Sequence, residues 1–541
     1  MQANKLQIQY RKMRKKENTL RLSSLLLIVF SAYSFTTNAQ GLDSKQIDSL
    51  VIKSMETMPQ AGIAVVVVKD GKVIHAKGYG VTSIKNKEQV NENTLFAIGS
   101  NTKAFTTAAL SILVDEDKIS WHDKVIDYIP EFKMYDPYIT ANFNIQDLLA
   151  HRSGLGLGAG DLMIYPDGSD FTIKDVLNSF QYQKPLSAFR TKYDYDNLLY
   201  IVAGELIARV SGMSWVDFIE TRIMKPLGMN RSAASFQSLN DKTNVAFPHS
   251  SETGELKQIE TYSHNLTNAA GGIYASVNDL SKWLLMQLNG GKYGENLEHQ
   301  LFSEESQEEM WKAHTNMSFN VKPDSRYKHH FESYGLGWEL GDYNGYVILN
   351  HGGGLPGMIS MTTLIPELNA GMVVLTNTQP GGNTTATLTY SLLDSFIGVE
   401  ERDWIEIGYQ MLQVGLNKSE SAADEVWATV KNSKEELMVF ENFTGTYEDK
   451  WFGKVSIFLK DNKLWFKSLR SPKLNGQMFF YKATTFAIKW EYTDMPCDAF
   501  ATFNLDTEGK AVMIKMKGIS PNIDFSFDFQ DLELHRVDVQ N

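Results

Sequence analysis

The sequence predicts an α+β protein, one antiparallel sheet flanked by helices, followed by a small all-β barrel domain. Three observations predict it. Strand-like runs cluster in two distant stretches, 62–80 and 334–378. The residues between them, about 101–315, are mostly helical in pattern. From about Phe440, apolar and polar residues alternate to the C-terminus.

Taken in order, residues 1–39 read as a secretory signal peptide. QYRKMRKKENTLR is basic, and LSSLLLIVFSAYSF is an apolar run of 14 residues, short for a membrane span. TTNAQG then offers small residues for cleavage after Ala39 or Gln40. The competing reading is an uncleaved anchor. No Cys lies near the cut, which argues against a lipoprotein.

A first domain is expected over residues 40–400. GIAVVVVKDGKVIHAKGYG (Gly62–Gly80) holds a β-branched run, an Asp-Gly turn and a second run, the pattern of a hairpin. NLLYIVAGELIARVSG and NDLSKWLLMQLNGG have polar starts, apolar periodicity and a Gly near the stop, as helices do. From Tyr334 at least three strand-like runs follow, separated by Asn-Gly, a Gly-rich stretch and Asn-Ala-Gly. One sheet built from both ends of the domain is the simplest architecture. Residues 401–440 are charged and helix-favouring and read as a connector. Residues 441–541 are expected to hold about eight short strands. Val455, Ile457 and Leu459 share one face, a turn falls at Asp461–Asn462, and Leu464 and Phe466 follow. Val512, Ile514 and Met516, then Ile523, Phe525, Phe527 and Phe529, repeat the alternation, which suggests a small barrel or sandwich.

Composition narrows the class. The chain has 541 residues and a net charge of −12, and its first 40 residues carry +6, which leaves −18 for the mature protein. So acidic a protein is expected to avoid nucleic acid and anionic membrane surfaces. After signal cleavage no segment is apolar for long enough to span a bilayer. The single Cys, Cys497, excludes an intrachain disulfide and reads as a small buried hydrophobe. Export without disulfides leans towards a bacterial periplasmic or secreted protein.

The residues that could carry chemistry begin in FAIGSNTKAFTTAALSILVDE. Ser100 and Lys103 stand at i and i+3, on one face of a helix whose positive end lies near the Ser. A free Lys is too basic to act as a base at neutral pH, its pKa being about 10.4. Burial, or another cation, would lower it and activate the Ser as a nucleophile. The bland alternative is a Ser cap and a solvated Lys. The same spacing recurs at Ser325–Lys328, in a charged loop with no apolar helix behind it, and reads as chance. KYDYDNLLYIVAGELI places Tyr195 and Asn197 before a helix. ILNHGGGLPGM places His351 after a strand, with glycines that allow close approach to the backbone. His329–His330 are adjacent and cannot share a helix face, so no metal site is expected, and no cofactor is implied. His151, in LLAHRSGL, is tempting as the base of a Ser-His-Asp arrangement.

Ser100-x-x-Lys103, Tyr195-x-Asn197 and His351-Gly352-Gly353, in this order, resemble the three motifs of the serine β-lactamase and penicillin-binding-protein superfamily. The closer resemblance is to the class C β-lactamase-related branch, with its D-Ala-D-Ala carboxypeptidase B, D-aminopeptidases and family VIII esterases. IQDLLAHRSGL, KPLGMNRS, AAGGIYASVNDLSKWL and YGLGWEL extend it over about residues 45–395. The last 100 residues resemble, more weakly, the lipocalin-like β-domain appended to such hydrolases. The resemblance implies a β-lactamase/transpeptidase-like fold and an acyl-enzyme. Ser100 would be the nucleophile, and Lys103 and Tyr195 would share proton transfer, with the base left open. Asn197 would hold Lys103 and the substrate amide, and His351, Gly352 and Gly353 would line the substrate. The backbone N–H groups of Ser100 and Gly354 would form an oxyanion hole. His151 would be structural. Where β-lactamases of this branch usually carry Lys-Thr-Gly, this chain has His-Gly-Gly, more like the esterases and D-amino-acid peptidases. The expected substrate is therefore an ester or a peptide, D-amino-acid-containing cell-wall material included, with a true β-lactamase and a non-catalytic scaffold as alternatives. The sequence leaves the oligomeric state open.

Overall fold

The computed structural model describes residues 41–537 apart from 253, 323–326, 400–401, 434–438, 497 and 522. The expected signal peptide (1–39), Cys497 and Ser325 of the second Ser-x-x-Lys pair therefore lie outside the described residues.

β1 (Gly62–Lys69) and β2 (Lys72–Gly80) form the expected hairpin. Asp70 and Gly71 sit at φ 49° and 74°, the type I′ geometry whose twist suits the flanking strands. Ile63, Val65 and Val67 enter one apolar core, while Ala64, Val66 and Val68 enter another. Burial on both faces explains an unbroken β-branched run where a half-exposed strand would alternate. The sheet continues with β3 (Thr315–Phe319), β4 (Phe331–Tyr334), β5 (Glu339–Tyr343), β6 (Tyr346–Leu355), β7 (Met358–Ile365) and β8 (Ala370–Thr376). The order is β2-β1-β8-β7-β6-β5-β4-β3, with antiparallel neighbours. The two distant β-rich stretches thus meet at β1 and β8, Ile63 opposite Thr376.

The principal helices of this domain are α1 (Ser44–Thr57), α2 (Thr102–Asp115), α3 (Asn197–Ser211), α4 (Val277–Leu288) and α5 (Gly382–Ile397). Ile47 and Val51 of α1 and Leu388, Leu392 and Phe396 of α5 pack on one face of the sheet. The other face carries α2, α3 and α4, with Phe105 stacked on Trp283 at 3.8 Å between centroids. α2 is buried from Thr102 to Leu113, so its first turn is fixed from all sides.

Two expectations need correction. The Gly-rich stretch does not separate strands, and His351 does not follow one: His351, Gly352, Gly353 and Gly354 lie inside β6, paired with Thr362 to Ile359 of β7. The separator is the turn at Pro356–Gly357, where Gly357 takes φ 71°. The glycines serve a close approach within the strand rather than a turn.

α6 (Trp404–Asn432) leads to a closed barrel of β9 (Gly445–Asp449), β10 (Gly453–Lys460), β11 (Lys463–Ser468), β12 (Asn475–Lys482), β13 (Thr485–Trp490), β14 (Ala499–Leu505), β15 (Ala511–Gly518) and β16 (Leu534–Val537). Val455, Ile457, Leu464 and Phe466 fill its interior, while Leu459 and Val512 are exposed. Ile523 to Phe529 is not a strand but a loop ending in a 3-10 turn, Phe529–Asp531. Its buried residues face the first domain: Asp528 accepts the N–H groups of Gly160 (2.7 Å) and Leu162 (2.9 Å), and Tyr165 packs on Phe527. Alternation records burial, and here a domain interface takes the place of a ladder. Arg470 adds ion pairs to Asp170 (2.6 Å) and Asp175 (2.8 Å), and Lys473 one to Glu260 (2.6 Å). Such exposed pairs contribute about 0–1 kcal/mol each, so the buried contacts carry most of the docking.

Candidate active site

Ser100 sits in a single 3-10 turn, Gly99–Asn101, that runs straight into α2. The turn is pinned from the sheet: Asn101 Nδ2 donates to Ser360 Oγ (2.7 Å), which donates to the Ile98 carbonyl (2.7 Å). Lys103, one turn on, is fully buried. Its Nζ meets Ser100 Oγ at 2.9 Å, Asn197 Oδ1 at 2.7 Å and the Ala270 carbonyl at 3.0 Å. As an ammonium it donates to all three. As an amine it keeps two donors and turns a lone pair to the Ser hydroxyl. Burial pulls its pKa down to about 7, against the pull of Asp161 and Asp196 in the other direction. The Lys head in solvent, required by the bland reading, is absent.

Tyr195 and Asn197 flank Asp196, the N-cap of α3, whose carboxylate accepts from the Leu199 N–H at 3.2 Å. The Tyr195 ring lies 4.7 Å from Lys103 Nζ. Burial first, then Tyr193, hold its hydroxyl well above the ordinary tyrosine range against the lowering pull of the neighbouring Ser100 side chain, so it stays a phenol. Asn197 receives Lys103 on Oδ1 and donates from Nδ2 to Asp161 Oδ2 at 2.7 Å. His151, fully buried at φ 52°, accepts the Asp196 N–H on Nδ1 at 3.1 Å and packs against Tyr195 at 4.1 Å. It braces the Tyr195–Asn197 turn and makes no bond to Ser100.

The third wall is β6. His351 is 2% exposed, its Nδ1 bonded to the Gly352 carbonyl (2.6 Å) and its Nε2 to Tyr334 Oη (2.8 Å). Burial and the nearby Lys103 lower its pKa to about 3, so it is neutral. The expected direct contact between the His351 ring and substrate is therefore not what the geometry offers. Both ring nitrogens are engaged and the ring supports Tyr334 instead. Gly354 is exposed at the end of the strand, and its backbone N lies 2.7 Å from where a Cβ on Gly99 would stand. A Cβ on Gly353 would overlap the Ile98 carbonyl oxygen and Ser360 Oγ. Gly353→Ala is thus expected to push β6 off the Ser100 turn, costing about 1–3 kcal/mol of stability by overpacking. Urea denaturation measures that cost, and a wild-type midpoint would contradict it.

Sequence reasoning brought Ser100, Lys103, Tyr195, Asn197 and the Gly353–Gly354 segment to one place. It missed Asp161, Tyr334, Ser526 and Tyr200, whose ring lies 5.3 Å from Lys103 Nζ. Asp161 lies in GAGDL, a Gly-rich loop that gives no signal without its partners. Ser526 Oγ donates to Asp161 Oδ2 at 2.8 Å from 365 residues away. His329 and His330 meet Tyr390 and Asp342, and among the described residues no group of three His, Cys, Asp or Glu converges to hold a metal.

A family model described as Beta-lactamase matches residues 47–394, and one described as a domain of unknown function, DUF3471, matches 430–536. Unguisins hydrolase ungD' of Aspergillus campestris is 29% identical over 360 residues, 63% of this chain and 64% of its own length. Protein flp of Staphylococcus aureus (strain N315) is 27% identical over 339 residues, 62% of this chain and 63% of its own. The chain therefore spans just under two thirds of the length of these relatives. The octameric penicillin-binding protein homologue from Pyrococcus abyssi superposes with TM-score 0.56 at 21% identity, over 89% of this chain and 99% of that one. A class C beta-lactamase mutant superposes with TM-score 0.54 at 21% identity, over 64% and 96%. These two share the fold.

Proposed function

The chain belongs to the beta-lactamase family, and from that premise we propose that it is an exported serine hydrolase acting through an acyl-enzyme on esters or peptides, including D-amino-acid-containing fragments of cell-wall material. The observation that carries the reading is the buried Lys103 Nζ, 2.9 Å from Ser100 Oγ with its pKa lowered to about 7. About half of such amines are neutral at neutral pH, where a base is most effective. The similarity to a protein named a hydrolase supports the same class. Export rests on the basic and apolar leader of the sequence.

In this reading Ser100 Oγ attacks the substrate carbonyl while neutral Lys103 takes its proton. The Tyr195 phenol gives its proton to the leaving group and takes up the one held by the Lys103 ammonium, which leaves Lys103 neutral again. The N–H groups of Ser100 and Gly354 stabilise the oxyanion. Water, deprotonated by Lys103, then attacks the acyl carbon, and Ser100 Oγ departs with the proton that Lys103 returns to it. Lys103 is the better base of the two because Tyr195 resists ionisation.

A true β-lactamase reading is weaker, because a neutral, buried His351 offers no fixed cation to a β-lactam carboxylate. The scaffold reading is disfavoured by the intact Ser100, Lys103, Tyr195 and Asn197 set. Short-chain p-nitrophenyl esters are expected to turn over faster than nitrocefin. A fast nitrocefin rate with little esterase activity favours the β-lactamase, and a folded protein inert on esters, D-amino-acid amides, muropeptides and β-lactams favours the scaffold.

A further inference from the structure

The loop between β15 and β16 leaves the barrel and meets the first domain beside Tyr195. Gly158, at φ 69°, is a glycine because a Cβ there would stand 2.6 Å from the Phe525 carbonyl oxygen. The Gly158 N–H donates to the Tyr195 carbonyl at 2.7 Å, so Phe525, Gly158 and Tyr195 form one packed layer. The Phe525 ring meets Tyr195 edge-on at 5.6 Å yet stays 39% exposed. Leu157 and Leu186, both exposed, continue this apolar lip, with Leu186 packed over Gly156.

The next residue turns inward. Ser526 is buried, and its Oγ reaches Asp161 Oδ2 at 2.8 Å. The same carboxylate oxygen takes Asn197 Nδ2 at 2.7 Å, and Asn197 Oδ1 takes Lys103 Nζ at 2.7 Å. Asp161 Oδ1 has no partner among the described residues, so Oδ2 alone anchors the carboxylate. Asp528, through the N–H groups of Gly160 and Leu162, fixes the backbone on either side of Asp161. Barrel residues thus set both the main chain and the side chain that orient Asn197.

We infer that this barrel loop is a working part of the active site: Ser526 acts through Asp161 and Asn197 as a positioning residue for Lys103, and Phe525 forms a wall beside Tyr195 that selects an apolar group on the substrate. The inference rests on the serine-hydrolase reading above. Lys103 and Asp161 are faced by Asp196, Tyr195 and Tyr200 around α3, by His151, by His351 on β6, and by Asp524 and Asp528 on the loop. Ser526 is itself uncharged, so its removal acts on this charge set only through its hydrogen bond to Asp161. Its bond favours the ionised Asp161, whose pKa burial raises to about 7. Losing it leaves Asp161 protonated to higher pH and withdraws negative charge from Lys103. The amine then loses its proton at lower pH.

The test uses the full-length chain with fluorophosphonate labelling of Ser100 and two p-nitrophenyl esters, acetate and a phenylacyl ester. Ser526→Ala is expected to slow labelling and kcat by roughly 10- to 100-fold with little change in KM. Its acid limb should move to lower pH, and Ser526→Thr should restore the rate to within about threefold of wild type. Phe525→Ala should raise KM for the phenylacyl ester and leave that for acetate within about twofold. If Ser526→Ala does not fold, Ser526→Cys, similar in volume and a poor donor, takes its place. Wild-type kinetics and pH profile for the Ser526 variant, or equal effects of Phe525→Ala on both esters, overturn the inference while leaving the hydrolase reading intact. A wild-type protein that labels nowhere overturns the hydrolase reading, and the inference with it.

Discussion

Ser100→Ala is expected to carry no covalent adduct after treatment with a fluorophosphonate or a penicillin, and to lose at least about 10⁴-fold in ester turnover. The reason lies in the turn as much as in the hydroxyl. Ser100 is held between the Asn101–Ser360–Ile98 contacts below it and buried α2 behind it, so its Oγ is presented in one position. Such preorganisation supplies a large share of the rate enhancement of a site of this kind. Replacing a partly exposed hydroxyl by hydrogen leaves Lys103 with Asn197 and Ala270, so stability should change by no more than about 1 kcal/mol. Loss of turnover with an unchanged melting profile therefore reports chemistry rather than folding. Intact-mass measurement decides the matter: equal labelling of wild type and Ser100→Ala removes Ser100 as the nucleophile.

What was legible in the sequence follows from the range of the interactions involved. The β1–β2 hairpin was readable because Asp70–Gly71 and a doubly buried β-branched run are local signals. Ser100 and Lys103 were readable because three residues of helix bring them together. Tyr195 and Asn197 were recovered by resemblance, since nothing local distinguishes them from an ordinary helix start. Three features were out of reach. The His351 ring direction depends on Tyr334, which arrives from another strand. The role of Asp161 depends on Asn197 and on Ser526 of a different domain. The loop at 523–529 alternates like a strand because its alternate side chains are buried, and the period does not say against what.

Lys103→Met should be nearly as damaging as Ser100→Ala, with turnover lower by about 10²–10⁴-fold, the usual contribution of a general base. Wild-type activity should fall on the acid side of pH 7 as the amine takes up a proton, and the residual activity of the Met variant should show no such limb. Lys103→Arg, charged at every accessible pH, should be equally inactive and gain nothing from raising the pH. Stability should respond differently, and the sign follows from proton linkage. In the unfolded chain the lysine titrates near its free value of about 10.4, and in the folded protein near 7. Between these values the unfolded state binds more protons, so this group's contribution to stability rises with pH from about 7 upward. Below pH 7 the buried ammonium weighs against the fold in full. Asp161 works the other way: its folded pKa, about 7, lies above the unfolded one, so its contribution falls as pH rises from about 4 to 7. Methionine removes the lysine penalty but leaves Asn197 Oδ1 and the Ala270 carbonyl without their donor, at about 1–3 kcal/mol each. The two effects oppose, so near pH 6 wild type and variant should differ little. Above pH 7 wild type should gain on the variant as its lysine is relieved. Urea denaturation of both proteins on either side of pH 7 checks this, and a stability difference constant in pH means that Lys103 is not held near neutrality and is not the base.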